Sequence, residues 1–392
     1  MLMVSEAFNK NYEKDFEKEF AVGATIQVKF PQTFIVSDGM GYQPQGINRI
    51  STTVSLDQWL QVAWEWDDYE AAVKAERSES EIREQYLDPA AKQIAQEIDS
   101  RSAQWASWFT SNVVGALGTD PTTVNTYYAA RRRLMELACP PGKQYLCISS
   151  SMMAALGSGI TSIFNPTDEI SQMFKDGSLG RLSGFEVYES QSLYSATTAT
   201  IASTFVVTGA NQSGSTLSVT GTSGDIIPKG TKITLANVNQ VNPRTRRTAG
   251  PKTLKNFTVT QDYVLTSGPD TISILPAIYG PGSQYQNVDA LPANNAAIVQ
   301  WPGTASPNTG AISGTQGMVL AKNQGFALVG GRLYLPKSVE AKAQSSDKTS
   351  GLSLRWVKVW DPVRSIQGDR FDMLLGFGNL YQDNGACLIG GA

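Results

Sequence analysis

No histidine occurs in this chain of 392 residues. That absence excludes a Ser-His-Asp triad, histidine-based general acid–base catalysis and histidine metal sites. Cysteine is nearly as scarce. Cys139, Cys147 and Cys387 lie in the apolar contexts LMELACP, QYLCISS and GACLIGG without CxxC spacing, which reads as buried reduced thiols and fits a reducing, cytoplasmic assembly environment. No run of about 18 apolar residues is present, and MLMVSEAFNK meets charge too early for a signal peptide, so nothing directs the chain through a membrane. Charged residues make up only 17%. With so much Gly, Ser, Thr, Asn and Gln, this suits a protein whose surface is largely covered by neighbours, or equally a plain β-rich one.

Catalytic motifs are missing too. Gly142-Lys143 has no glycine five residues earlier and no Ser or Thr after it, so it is not a phosphate-binding loop, and no Rossmann glycine pattern occurs. The acid pairs Asp67/Asp68 and Glu13/Asp15 lie on hydrophilic stretches and are explained by solvation rather than glycosidase-type chemistry. No active site, cofactor or metal centre is expected.

What is present begins with QYLDPAAKQIAQEIDSRSAQWASWF, residues 85–109. Asp88 can accept hydrogen bonds from free first-turn amides, and Pro89 suits the first helical position, where a missing N–H costs nothing. Ile94, Ile98, Ser102, Trp105 and Phe109 then recur every three or four residues on one face, with Lys92, Gln96, Asp99 and Arg101 elsewhere. Run on to Val114, the pattern predicts a rod of roughly 40 Å, buried on one side and wet on the other.

Around this rod the sequence reads mostly as strands. The first segment, SEAFNKNYEKDFEKEF, spaces Phe8, Tyr12, Phe16 and Phe20 every four residues among acids and lysines, an amphipathic arm that needs a surface to lie on. Ile26, Val28 and Phe30 alternate with polar residues, as do Leu60, Val62, Trp64 and Trp66. This predicts two paired strands joined by a long connection through Gly39, Gly41, Pro44 and Gly46. Exposed aromatics on such a hairpin make Trp59, Trp64 and Trp66 candidate contacts between subunits.

After the rod come a helix in TTVNTYYAARRRLMELACPPGK, an apolar strand QYLCIS and a third helix near SSMMAALG, together an α/β module. Arg131, Arg132 and Arg133 have three readings: an exposed helix face, an intersubunit salt-bridge set, or an inward contact with nucleic-acid phosphates. Between about Phe205 and Pro302, short alternating runs separated by turn signals predict an inserted β barrel or sandwich. Its stretch NPRTRRTAGPKTLKN, with Arg244, Arg246, Arg247, Lys252 and Lys255 and no acid, predicts an exposed basic loop and a candidate contact. The closing apolar strands GFALVGGRLYLP, LSLRWVKVWD, FDMLLGFGNL and ACLIGG read as a return to the interrupted α/β module. Charge is uneven: residues 1–100 hold 18 acids and 9 bases, residues 101–392 hold 17 acids and 23 bases. The two segments are either two solvated surfaces or complementary contacts between copies.

The order of these parts resembles the major capsid (coat) proteins of tailed double-stranded DNA phages, of the P-twenty-two type with an inserted domain. The stretches that carry the likeness are NYEKDFEKEFAVGATIQVKFPQTFIVSDG, with its F-x-x-G-x-T-I-x-V pattern, YLDPAAKQIAQEIDSRSA, GRLSGFEVYESQSL and IIPKGTKITLANVNQVNPRTRR. Family members usually carry a further segment before the arm, so beside MLMVSEAF that element is expected to be missing, shortened, processed or outside this numbering.

The resemblance implies an α+β chain of the Hong Kong ninety-seven capsid fold. Its parts would be an N-terminal arm (1–23), an extended loop (24–70), the spine helix with part of a peripheral domain (71–118), the first part of an axial domain (119–204), the insert (205–302) and closing strands of both domains (303–392). It further implies hexamers and pentamers closing into an icosahedral shell, assembled in the host cytoplasm. The implied partners are a scaffolding protein, a portal protein, often a decoration protein, and packaged DNA touched non-specifically on the inner face. A tail or baseplate protein shares the β-rich composition, and a β-rich carbohydrate-binding or hydrolytic protein is the other alternative.

Overall fold

The computed structural model describes residues 4–10, 25–30, 34–36, 39–42, 44–47, 51–67, 83–160, 180–201, 205–248, 250–266, 268–301, 311–337, 339, 341–346, 352–364 and 366–392. The chain divides into two compact units, one made of 1–29, 51–102 and 326–380, the other of 30–50, 103–325 and 381–392. Helix α1 (Asp88–Phe109) contributes to both.

In the first unit, the 14-residue strand Ile366–Asn379 is the axis of a five-stranded antiparallel sheet. Gln58–Asp67 runs along one side of it, from Ile366↔Asp67 to Leu375↔Gln58. On the other side Ser353–Asp361 pairs with its first half and Phe326–Gly331 with its second, and Ala341–Ser346 lies outside Ser353–Asp361. The hairpin expectation is corrected here. Thr25–Lys29 pairs not with the tryptophan strand but with Ser51–Ser55, a separate strand divided from it at Leu56–Asp57. Alternation marks which residues face a core, but it does not say which strand lies alongside. Glycine makes one close approach possible: a Cβ on Gly376 would lie 2.1 Å from the Ser55 carbonyl oxygen, so only a bare Cα lets Ser51–Ser55 cross the long strand.

The α1 reading holds at its start and changes at its end. A single π-type turn, Arg83–Leu87, leads into Asp88, and the helix stops at Phe109, about 33 Å long at 1.5 Å per residue. The β-branched Val113–Val114 leave it and pair in parallel with Leu388–Ile389. Ile94, Ile98 and Ser102 are buried as their spacing predicts. Asp99, read as a wet position, is buried, because its carboxylate accepts the backbone N–H groups of Val4 (2.7 Å) and Ser5 (3.1 Å) at the start of a 3₁₀ turn, Ser5–Ala7. Of the predicted arm, Phe8 packs its ring into the first unit: it stacks on Phe326 at 5.2 Å and meets Phe377 edge-on at 6.2 Å. Tyr12, Phe16 and Phe20 lie outside the described residues.

The second unit holds the α/β module and the insert. The module's mixed sheet runs in the order Val113–Val114, Ala386–Gly390, Ser313–Ala321, Gln144–Ile148, Phe185–Glu189, Arg181–Leu182. Helices α2 (Val124–Glu136) and α3 (Ser150–Ile160) share its core through Tyr127, Leu134 and Met152, which join Leu146, Phe185 and Cys387. All three cysteines are buried and free. Of the closing strands only ACLIGG returns to this module, beside Ser313–Ala321; the other three belong to the five-stranded sheet of the first unit. An apolar run fits either sheet, and long-range pairing decides between them.

The insert is a six-stranded antiparallel sheet ordered Ile298–Gln300, Lys232–Asn239, Leu254–Val259, Asp270–Ile278, Gly214–Thr220, Val206–Val207. Its two edges meet through Val207 N–H to Ala296 O (3.0 Å) and Ile298 N–H to Phe205 O (2.9 Å), so the sheet closes into a barrel with little free edge. A single apolar cluster fills it, running from Ala199 and Ile201 through Phe205, Leu235 and Phe257 to Ile298.

Candidate assembly site

The strand Gln58–Asp67 carries the tryptophans to different environments. Trp59 is 47% exposed and donates its indole N–H to Asp372 at 3.2 Å, with the Arg355 guanidinium 5.7 Å from its ring. Asp372 is fully buried and also accepts from Arg355 and Arg370, each at 2.5 Å. One carboxylate therefore fixes an indole and two arginines on one face of the sheet. Trp64, one face over, is half-buried and sits edge-on to Phe371 at 5.5 Å, so part of its surface is already covered within the subunit. The Trp66 side chain lies outside the described residues.

The three arginines of α2 point three ways, as consecutive helical positions must. Arg131 donates to Ser183 O at 2.7 Å and pins the turn at Ser183–Gly184. Arg132 stays exposed, paired with Glu136 one turn on at 2.6 Å. Arg133 turns inward, donating to Leu254 O (2.9 Å) and to Asn112 Oδ1 (3.3 Å). Burial lowers its pKa, against the pull of nearby Asp383 and Glu136. Arg131 and Arg133 thus serve contacts within their own chain.

The basic stretch is a loop only up to Leu254. Arg244 and Arg247 are exposed, whereas Arg246, in the left-handed region at φ +56°, donates to Gln284 O (3.2 Å) and Phe34 O (3.4 Å). Lys252 is exposed and pairs with Asp289 at 3.7 Å. Lys255, read as part of the exposed loop, is completely buried in the strand Leu254–Val259, where its ammonium meets both oxygens of Asp383 at 2.7 and 2.5 Å. Burial pushes its pKa down and Asp383 pulls it back up. Ser111 also donates to Asp383 at 3.1 Å, so the barrel and the segment that follows α1 converge on one carboxylate near the end of the chain. Sequence reading missed this cluster. The available signal was a lysine inside a strand pattern, a position that normally needs a counter-charge.

Asp289 supplies a pH handle on the barrel. Partial burial opposes its ionisation, but hydrogen bonds from the Asn239 side chain and backbone (both 2.8 Å), with Lys252 nearby, outweigh this and hold its carboxyl below the usual range. A depressed carboxyl adds stability above its unfolded pKa of about 3.9, and that stability is lost as pH falls through the lower folded value. Thermal melts from pH 6 to pH 2.5 should therefore fall less steeply for Asp289→Asn than for the native chain, and parallel curves would refute the assignment.

The family model described as P22 coat protein, gene protein 5, matches residues 43–378, more than four-fifths of the chain. The chain belongs to the P22 coat protein family. It is a phage major capsid protein, a structural role in which the tail alternative finds no support. No curated protein sequence matches this coat protein. Among solved structures it is similar to one from Mycobacterium phage Che8, at 12% identity and a TM-score of 0.51, over 100% of this chain and 93% of that one. At that identity the likeness shows the fold, which is of the Hong Kong ninety-seven type with the barrel added. Weaker likenesses are to the capsid of cyanophage P-SCSP1u (12% identity, TM-score 0.46, 95% of this chain and 85% of that one) and to the mature capsid of bacteriophage PhiM1 (9%, 0.42, 94% and 82%).

Proposed function

We propose that copies of this coat protein form hexamers and pentamers that close into an icosahedral shell around packaged double-stranded DNA, assembled in the host cytoplasm. Its role is mechanical rather than enzymatic. The observation that carries this reading is the stretch Phe34–Ile47, where Phe34, Val36, Met40, Tyr42 and Ile47 are each at least 66% exposed. A monomeric protein does not leave so many large apolar side chains in water within one short segment, so a neighbouring copy covers them. On this reading residues 24–70 are the extended loop, 71–118 the spine and peripheral part, 119–204 with the closing strands the axial and peripheral domains, and the N-terminal 23 residues an arm. A scaffolding protein, a portal protein and decoration proteins are the proposed partners. DNA is touched non-specifically, with exposed Arg132, Arg244 and Arg247 as contacts to it or to other copies.

Full-length chain co-expressed with its scaffolding protein should sediment as closed shells by electron microscopy; tubes, rings or a persistent monomer would overturn the proposal. Trp59→Ala should lower shell yield several-fold while the soluble monomer keeps its melting temperature within a few degrees. Trp64→Ala should also cost the monomer about 2–4 kcal/mol, because Phe371 loses its partner. Equal losses of monomer stability in both variants would remove Trp59 from the contact set.

The insert, proposed as residues 205–302, owns a closed barrel and its own core, which supports independent folding. That core takes in Ala199 and Ile201. A fragment from 199 to 301 should melt cooperatively, and at a higher temperature than one starting at 205. A featureless melt from both would end the domain proposal.

A further inference from the structure

Helix α1 ends without a stop signal of its own. Its last turn carries no basic residue, and Thr110, Ser111 and Asn112 follow it where a glycine would normally close a helix. The last carbonyls of a helix have no partner within it and carry its partial negative charge. Ala106 O accepts from Thr110 N–H at 3.0 Å, which leaves the next carbonyls open.

The barrel fills that gap through one short turn, Pro228–Lys232, of sequence PKGTK. Lys232 is buried, and its ammonium donates to Ser107 O (2.7 Å), Trp108 O (3.0 Å) and Thr258 Oγ1 (2.9 Å), one acceptor for each proton. Thr258 in turn donates to Trp108 O at 2.9 Å. Lys229 approaches the same helical turn from its aromatic side, 4.2 Å from the Trp108 ring centroid and 4.8 Å from that of Phe109. Between the lysines Gly230 sits at φ +86°, and a Cβ there would lie 2.8 Å from Trp108 Cδ1 and 3.2 Å from Trp108 Cα. Only glycine lets the turn lie flat against the helix end.

We propose that this PKGTK turn is a clasp through which the inserted barrel caps α1, with Lys232 as the positioning residue for the last helical turn. The helix's final turn is therefore complete only while the barrel is folded and docked on it. Burial drives the Lys232 pKa well down.

Amide hydrogen exchange on the full-length subunit tests the clasp. Lys232→Met keeps the aliphatic stem and removes the three donors; exchange across residues 106–112 should rise about tenfold, while strand Asp270–Ile278 changes less than about threefold. Thr258→Val is a milder variant for use if the methionine variant does not fold, with a rise of about threefold at the same helix end. Unchanged protection at residues 106–112, or an equal loss of protection in the barrel strands, would overturn the proposal. In the second case the lysine would serve the barrel's own core.

Discussion

Replacing Asp383 with alanine is expected to remove about 3–5 kcal/mol from the stability of the subunit, the largest single effect of any polar substitution considered for this protein. The reason is what stays behind. Lys255 is completely enclosed and Arg133 lies beside it, so truncating the carboxylate leaves buried positive charge with no counter-ion. Urea unfolding of the monomeric subunit reads this as a lower midpoint at unchanged slope. The double variant Lys255→Met with Asp383→Leu should recover most of the loss, because it removes the charges as well as their attraction. If the double variant were as unstable as the single one, the cost would come from lost packing around the chain's last turn and not from the ion pair.

Phe8→Ala should cost about 3–5 kcal/mol, the usual range for deleting a fully enclosed aromatic ring. The ring is 1% exposed between Phe326 and Phe377. The backbone beside it is held by Asn9 N–H to Phe326 O at 2.8 Å and by Leu328 N–H to Asn9 O at 3.0 Å. Phe8 and its neighbour Asn9 are therefore part of the first unit's core, and calorimetry on Phe8→Ala should show a melting temperature lower by several degrees. Phe8→Leu should retain more than half of the lost stability. A melt indistinguishable from that of the native chain would take Phe8 out of the first unit's core.

Phe8 and Lys255 show the same limit of local reading. Phe8 fits an amphipathic pattern that continues into residues outside the described set, and the same spacing serves a surface arm or a docked turn. Lys255 fits a run of basic residues, and only its position inside the strand Leu254–Val259 distinguishes it from Lys252 three residues earlier. Charge runs and apolar periods describe a segment's own preference. They carry no information about a carboxylate more than a hundred residues away, and Asp383 is 128 positions from Lys255.

The sequence by itself determined the element types and their order: the start of α1 at Asp88-Pro89, the helix that ends before Pro140-Pro141, the turn-rich insert, and the absence of any histidine chemistry. These are local matters, set by missing N–H groups, left-handed turns and residue types that are either present or not. Tertiary structure alone decided which strands pair. It placed Gln58–Asp67 beside Ile366–Leu375, sent three of the four closing strands to that sheet, and closed the barrel through Phe205 and Ile298. It also decided where α1 stops, because the acceptors at its end are satisfied by a lysine more than a hundred residues further along the chain. A helix can begin on its own residues, but this one ends on those of the barrel.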